Sequence, residues 1–189
     1  MIRAGHVGVL VNVFCLSIAA AALAQDNAQR MTKVMCAGDP ECEALGKHRL
    51  TADNLRKMFA VDGELLTLMK EVSDLERRMD ELATSVDPQR RLGKLTLSAQ
   101  VHEGIPEIAE VLRRHKITGR EYVFTYAVAM VTAMADVTLS LEAQREGRTA
   151  TTPELMTPAL RFWRSMDPAL KAEADAWKKL RDYDQGIER

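Results

Sequence analysis

The sequence predicts an all-α fold, a single-domain bundle of six to eight helices. Alternating runs of β-branched and aromatic residues bounded by turn residues, the usual mark of strands, do not occur in it. Capping residues followed by proline or glutamate recur along the chain, and each one marks a helix start. The stretch 122–141 is also almost wholly apolar, with Asp136 as its only charge. These three observations place the chain in the all-α class.

Residues 1–24 are predicted to be a secretory signal peptide. Arg3 supplies a basic start, a mostly apolar stretch follows, and Ala22 and Ala24 are small residues placed for a cleavage site. The apolar stretch is short for a membrane helix, which needs about 20 apolar residues. An uncleaved membrane anchor is the alternative. Cleavage after Ala24 predicts a periplasmic or secreted protein that begins at Gln25.

A disulfide is predicted between Cys36 and Cys42, because Cys15 would leave with the signal peptide. An even number of cysteines in an oxidising compartment favours pairing. Gly38 and Pro40, which lie between the two cysteines, favour the tight turn that a small loop needs. A metal pair or a redox-active dithiol is the alternative, but the spacing is not Cys-x-x-Cys and no histidine cluster lies nearby.

The chain that cleavage leaves has 165 residues, enough for one domain with a hydrophobic core. Its 25 basic and 27 acidic residues give a formal charge of −2. This balance argues against nucleic acid as a partner, since binding phosphates needs a basic excess. The predicted organisation is a signal peptide (1–24), a polar N-terminal segment with the disulfide loop (25–48) and a helical domain (49–185).

Capping signals predict two helices at the start of this organisation. Asp39 before Pro40 predicts a short helix that ends near Gly46. Thr51 is a capping residue and predicts the start of the next helix.

Apolar residues between 65 and 82 are spaced by three and four. This spacing is typical of a bundle helix, and a dimeric coiled coil is the alternative. A capping box at 73–76 interrupts the pattern. We therefore expect one helix to about 71 and another from 74 to 85.

Proline and capping signals predict the remaining helices. The segment 88–103 is expected to start at Asp87-Pro88, and Pro106 is expected to open a helix to Lys116. Thr118 and Glu121 form a capping box that opens a helix over about 119–145. Three later starts have the same chemistry, and the last opens a helix over about 168–184: Thr152-Pro153, Thr157-Pro158 and Asp167-Pro168.

The predicted helix 119–145 is apolar on almost every face, so other groups must surround it. It is either the central helix of the bundle or a membrane span. The central position is favoured, because Asp136 would be costly in lipid and the other helices are amphipathic. No stable membrane span is expected after signal cleavage.

Asp136 is the candidate functional residue of that helix. A carboxylate among apolar residues must be paired, be solvated at a cleft, or shift toward its neutral form. Pairing with an arginine of a neighbouring helix would make it structural. The alternative is the polar lining of a ligand cavity together with Tyr122, Tyr126 and Thr132.

No catalytic residue, metal site or cofactor is predicted. Three histidines remain after signal cleavage, His48, His102 and His115, and no two of them have the i, i+3 or i, i+4 spacing that presents two ligands to one metal. The nucleophile elbow, the phosphate-binding loop and the haem attachment motif do not occur in the sequence.

Two segments resemble small, uncharacterised exported helical proteins of Gram-negative bacteria. They are Leu50-Thr-Ala-Asp-Asn-Leu-Arg-Lys-Met-Phe and Ile117-Thr-Gly-Arg-Glu-Tyr-Val. The resemblance implies a periplasmic setting and a helical fold, and it implies no activity.

Two function classes follow from these observations. The first is a non-enzymatic interaction or envelope-maintenance protein, whose amphipathic helices hold a protein partner or a second copy. The second is a binding module for a small apolar ligand beside the helix 119–145. An enzyme ranks third, because acid–base catalysis needs groups brought together and the sequence shows none.

Overall fold

The computed structural model describes residues 40–89, 92–147 and 157–184, and no strand occurs within these ranges. The prediction of an all-α fold with six to eight helices is confirmed. Eight helices lie in the described ranges: α1 (Pro40–Lys47), α2 (Ala52–Glu71), α3 (Leu75–Val86), α4 (Lys94–Gly104), α5 (Pro106–Arg114), α6 (Gly119–Arg145), α7 (Pro158–Arg164) and α8 (Pro168–Asp184).

The chain divides into two compact units, and α6 contributes to both. Within the described residues, one unit is formed by 40–47, 128–147 and 157–164, and the other by 48–89, 92–127 and 165–184. In the second unit α2 packs against both α5 and α8, while α4 packs against α3 and α5. Within this unit, α2 therefore connects α5 to α8.

Side-chain caps begin the helices where the sequence predicts them. The Thr51 hydroxyl accepts the Asn54 N–H at 3.2 Å, and the Asn54 side chain accepts the Thr51 N–H at 2.8 Å. The side chains of Thr118, Thr157 and Asp167 each accept the backbone N–H three residues on, at 3.1, 3.2 and 2.9 Å. Each cap satisfies a backbone donor that the helix leaves unpaired.

The predicted interruption between 71 and 74 is confirmed, but the capping box that predicted it is wrong. The chain leaves α2 after Glu71 and starts α3 at Leu75, with Asp74 at the N-cap. Asp74 makes no side-chain cap bond. Its carboxylate instead accepts Arg77 Nη2 at 3.0 Å, an ion pair within the first turn of α3.

The helix start predicted at Pro88 is wrong, because α4 begins at Lys94. The Asp87 side chain is only 7% exposed and accepts the Leu92 N–H at 2.7 Å. That bond spans five residues, so the carboxylate holds a loop closed instead of capping a helix. Gly93 is the N-cap of α4.

The helix α6 has the predicted bounds, and its environment changes along its length. Phe124 and Ala129 in its first half are buried, whereas Val137 and Leu141 further along are 54% and 52% exposed. Within the described ranges, α6 is the one helix long and apolar enough to cross a membrane. Less than half of its most apolar stretch is buried within the chain. The first half of α6 is therefore buried as expected, whereas the second half buries Ala133 and Ala143 but leaves Val137 and Leu141 exposed.

The helix α8 buries the face that the sequence predicts. Leu170, Ala174 and Trp177 are 1%, 1% and 3% exposed. Leu180, predicted on the same face, is 39% exposed. The spacing of the three buried residues continues at position 181, and the Arg181 side chain points inward there, with 19% of it exposed.

Four predictions fall outside the described residues: the signal peptide 1–24, the half-cystine Cys36, the cap at Asp39 and the helix start at Thr152. The Cys36–Cys42 disulfide therefore stays a prediction, and the structure places Cys42 in α1, where it is half-buried.

Candidate functional site: the Asp62 cluster and the α2–α5 groove

Asp62 occupies a core position of α2. The inward residues Met58, Val61, Leu65 and Leu66 of this helix are at most 6% exposed, and Asp62 lies among them with 1% exposure. The five residues follow the i, i+3, i+4, i+7, i+8 spacing of a buried helical stripe. A carboxylate in such a position must find hydrogen-bond donors, since burying an unpaired charge is costly.

Three residues from two other helices supply those donors. The Tyr122 hydroxyl donates to Asp62 Oδ1 at 2.8 Å, and Trp177 Nε1 donates to Oδ2 at 2.7 Å. Arg181 Nε also donates to Oδ2 at 2.7 Å, and its Nη2 donates to Oδ1. We call Asp62, Tyr122, Trp177 and Arg181 the Asp62 cluster. It ties α2, α6 and α8 together through one buried carboxylate.

Aromatic rings surround the charged pair of the Asp62 cluster. The Arg181 guanidinium lies 4.9 Å from the centre of the Tyr126 ring, and the rings of Trp177 and Phe59 are 5.3 Å apart. Burial, followed by the neighbouring Asp62 carboxylate, raises the pKa of Tyr122 well above its usual range. Tyr122 therefore stays a hydrogen-bond donor to Asp62 at physiological pH. The buried polar groups of the cluster satisfy one another's hydrogen bonds.

His102 packs against the same cluster as a neutral residue. Its ring centre lies 5.5 Å from that of Tyr122, and its Nδ1 lies 2.7 Å from the Ser98 carbonyl oxygen. Because a carbonyl oxygen only accepts, Nδ1 carries the proton and donates. Burial lowers the pKa of His102, and the bond to Ser98 opposes this shift only in part.

The four residues predicted to line a ligand cavity have separate partners. Asp136 Oδ1 accepts Arg164 Nε at 2.7 Å, the arginine pairing that the structural interpretation describes. The Thr132 hydroxyl donates to the carbonyl of Val128, one turn earlier, at 2.7 Å. The two tyrosines, Tyr122 and Tyr126, belong to the surroundings of Asp62 instead.

Sequence reasoning missed Asp62, although a signal for it exists. The stripe that begins at Met58 has apolar residues at all of its positions except position 62. The spacing by three and four that predicts the helix begins at Leu65, three residues after Asp62, and does not include the aspartate. Its partners Trp177 and Arg181 lie more than a hundred residues away, and no local spacing identifies them.

An open groove of about 420 Å³ runs along α2 where this helix meets α5. It is open to solvent along one side. Seven of its lining residues belong to α2 and two belong to α5: Phe59, Ala60, Gly63, Glu64, Thr67, Leu68, Glu71, Val111 and Arg114. Phe59 also contacts Trp177, so one wall of the groove rests on the Asp62 cluster.

Gly63 determines how wide the groove is at its middle. It lies inside α2, and a Cβ atom added to it would have no heavy atom within 4 Å. A glycine inside a helix costs about 1 kcal/mol relative to alanine. Packing within the chain gives no reason for this cost, because a side chain would point into open space. The consequence is a helix surface on which another backbone can approach closely.

Two side chains at the C-terminal end of α5 bind Glu64 of the groove. Glu64 Oε1 lies 2.6 Å from His115 Nε2, and its other carboxylate oxygen accepts Arg114 Nη2. The hydrogen bond from His115, followed by that from Arg114, lowers the pKa of Glu64. The carboxylate at position 64 is thus already engaged within the chain.

A C-terminal cap of α5 fixes the two side chains that bind Glu64, Arg114 and His115. The Ile117 N–H donates to the Leu112 carbonyl at 3.2 Å, and the Lys116 N–H donates to the Arg113 carbonyl at 3.1 Å. This is the Schellman pattern, whose C′ residue adopts the left-handed conformation. Lys116 occupies that position with a φ of 53°.

Glu71 lies at the far end of the groove. It is the last residue of α2 and is exposed, and no ion pair in the described part of the chain includes it. The C-terminal end of a helix carries partial negative charge, so a carboxylate there adds to an existing negative potential. This end of the groove therefore favours a cation.

Within the described ranges, no three histidine, cysteine, aspartate or glutamate side chains are arranged to hold a metal ion. Comparison of the chain with protein-family models, curated proteins and solved structures finds no match. The groove and its charges are therefore the features that point to a function.

Proposed function

We propose that this chain is a non-enzymatic interaction protein whose α2–α5 groove binds a helical segment of another polypeptide chain. The observation that carries the proposal is Gly63, a helix glycine in the middle of the groove with open space where its side chain would lie. This glycine costs helix stability, and packing within the free chain does not require it. Close approach of a partner chain would explain why it is there.

The shape of the groove favours a helix over a small molecule. Its α2 wall extends from Phe59 to Glu71, a rise of about 18 Å or three helical turns. Small-molecule sites enclose most of the ligand surface, whereas helix-binding grooves stay open along one side. The open α2–α5 groove has the second form.

The lining chemistry supports the same occupant. Phe59, Leu68 and Val111 supply apolar contacts in the groove, and Glu64, Glu71 and Arg114 supply charges. An amphipathic helix presents this combination, apolar along one stripe and charged beside it. Binding would then depend on apolar anchors at i, i+3, i+4 and i+7 of the partner segment.

A small apolar ligand beside α6 remains the alternative. Its four predicted lining residues are Asp136, Tyr122, Tyr126 and Thr132, and none of them lines the α2–α5 groove. The charge of Asp136 is already paired with Arg164. We therefore place the interaction site on α2 and α5.

Site-specific photo-cross-linking of the full chain tests the proposal. A photoreactive side chain in place of Thr67, which is exposed and lines the groove, should form adducts with a polypeptide that mass spectrometry can map. The same group in place of Gln100, which is exposed on α4 and outside the groove lining, is the matched control.

The variant Gly63→Leu distinguishes the groove from any nearby surface. A leucine there fills the groove without meeting an atom of the chain near its Cβ. Adducts formed at Thr67, absent at Gln100 and removed by Gly63→Leu support the proposal. Adducts that Gly63→Leu leaves unchanged, or that form equally at both positions, overturn it.

We also propose that the protein acts in the periplasm or outside the cell, with its signal peptide removed after Ala24 and Cys36 joined to Cys42. The sequence of residues 1–24 and the two cysteines of the remaining chain support this setting. Intact mass of the exported protein is expected to correspond to a chain that starts at Gln25 and has no free thiol. A mass that includes residues 1–24, or two alkylatable cysteines, would contradict it.

A further inference from the structure

We infer that the occupant of the α2–α5 groove is α6 of a second copy of this chain, docked through a face formed by Val137, Leu141 and Arg145. This inference rests on the proposed function, since it names the partner of the same groove. It is carried by an apolar, basic helix face on the chain itself that matches the groove in spacing and in charge.

Exposure first identifies the α6 face. Val137 and Leu141 are 54% and 52% exposed, more than the other large apolar side chains that are at least 36% exposed, of which Leu180 at 39% comes next. They lie four residues apart, so both point to the same side of α6. Apolar side chains this exposed and adjacent on one helix mark an interaction surface more often than isolated ones do.

Arg145 extends this face by one more turn. It follows Leu141 by four residues, is exposed, and takes part in no ion pair within the described part of the chain. The C-terminal half of α6 therefore offers two apolar side chains followed by a cation, at positions i, i+4 and i+8.

The groove has the complementary residues at the same spacing. Gly63, Thr67 and Glu71 are also at i, i+4 and i+8 of their helix and all line the groove. Each set of three spans a rise of about 12 Å. With the helices parallel, Val137 lies over the space left by Gly63 and Arg145 reaches Glu71.

The charges at the end of this alignment complete the match. Glu71 is without an ion-pair partner in the described part of its own chain, and so is Arg145. Glu64 does not compete for the arginine, because Arg114 and His115 already bind it. The pair between Glu71 and Arg145 sets the register and excludes partners with an acidic residue at that position.

The groove and the α6 face are different surfaces, so the contact is heterologous and each copy keeps one free groove or face. Association should therefore be open-ended or ring-forming, and it should increase with concentration.

Charge-reversal variants test this contact directly. Glu71→Arg gives a basic groove against the basic face, and Arg145→Glu gives an acidic face against the acidic groove.

Sedimentation velocity of the wild-type chain and the variants over a range of concentrations is the experiment. Each single variant is expected to associate at least tenfold more weakly than wild type, because an attractive pair becomes a repulsive one. An equimolar mixture of the two variants should recover association, since every groove then finds a face of opposite charge. Glu76→Arg, an exposed reversal on α3 outside the groove lining, is the matched control and should associate like wild type.

The outcomes separate this inference from the proposed function. A wild-type chain that stays monomeric at every concentration, or a mixture that fails to recover association, overturns the second copy as occupant. If Thr67 still forms a Gly63-dependent adduct with a different protein, the groove keeps its proposed function with another partner. If the wild-type chain stays monomeric and Thr67 forms no Gly63-dependent adduct, both this inference and the proposed function are overturned.

Discussion

Trp177 donates its indole N–H to the Asp62 carboxylate at 2.7 Å, across a sequence separation of 115 residues. The contact joins α8 to α2 through a buried polar bond. Arg181, one turn further along α8, binds the same oxygen at 2.7 Å. The wall of the groove formed by α2 therefore depends on the last described helix.

The first prediction concerns Asp62. Asp62→Ala leaves Arg181 buried without its partner, and breaking a buried pair costs about 3–5 kcal/mol of unfolding free energy. Urea unfolding followed by circular dichroism measures the loss. Asp53→Ala, which removes an exposed ion pair with Lys57 on the same helix, is the control and should leave stability nearly unchanged.

The double variant Asp62→Leu, Arg181→Met completes this test. Removing both charges should cost less than removing either one, because no unpaired charge stays buried. Similar losses for Asp62→Ala and Asp53→Ala would mean that the carboxylate at position 62 is solvated.

The second prediction compares two glycines. Gly63→Ala should stabilise the chain by about 1 kcal/mol, since alanine is the better helix former and nothing lies within 4 Å of the new Cβ. Gly119→Ala should destabilise it, because its Cβ would lie 2.7 Å from the Ala99 carbonyl oxygen. Thermal unfolding measures both variants, and shifts of the same sign would contradict the packing at one of the two positions.

The third prediction concerns Lys116, the residue at the end of α5 with a φ of 53°. The left-handed conformation costs a side-chain-bearing residue about 1 kcal/mol that glycine does not incur. Lys116→Gly should therefore raise the unfolding free energy by about 0.5–1 kcal/mol, whereas Lys116→Ala should not. A destabilising Lys116→Gly would show that the lysine side chain makes an important contact.

The fourth prediction is a loss of stability below neutral pH. Burial lowers the pKa of both His48 and His102 in the folded chain, so the unfolded chain binds protons first as the pH falls through about 6.5. The unfolding free energy should then decrease from pH 7.5 toward the lower folded-state pKa values, below which the histidine contribution becomes constant.

Urea unfolding at pH 7.5 and 5.5 measures this dependence. The double variant His48→Gln, His102→Gln should lose most of the difference between the two pH values, although it is less stable at both. His48 Nε2 lies 2.9 Å from the Thr125 hydroxyl, and a glutamine at position 48 can replace that hydrogen bond. If the double variant keeps the full wild-type difference in unfolding free energy between the two pH values, groups other than these histidines cause the pH dependence.

Local signals predicted much of the helical framework. The caps at Thr51, Thr157 and Asp167 join residues that are three positions apart, so a short stretch of sequence is enough to predict them. Asp87 shows the limit of the same reasoning, because its carboxylate binds the Leu92 N–H instead of a helix start. An aspartate before proline is thus compatible with both a cap and a loop.

The candidate site was less predictable than the fold. Asp136 stands out in the sequence because its helix is apolar, yet it pairs with Arg164. Asp62 lies in a mixed helix, and its burial depends on distant Trp177 and Arg181. The groove at Gly63 arises from the packing of α2 against α5, which no spacing along the chain specifies.

The yield of the Thr67 photo-adduct, compared between wild type and Gly63→Leu, tests the central claim most directly. The chain should fold equally well in both, because the added side chain meets no atom of the chain near its Cβ. We expect the yield to fall at least tenfold in Gly63→Leu, since the leucine occupies the space of the partner helix. An equal yield in two folded proteins would show that the α2–α5 groove is not the binding site.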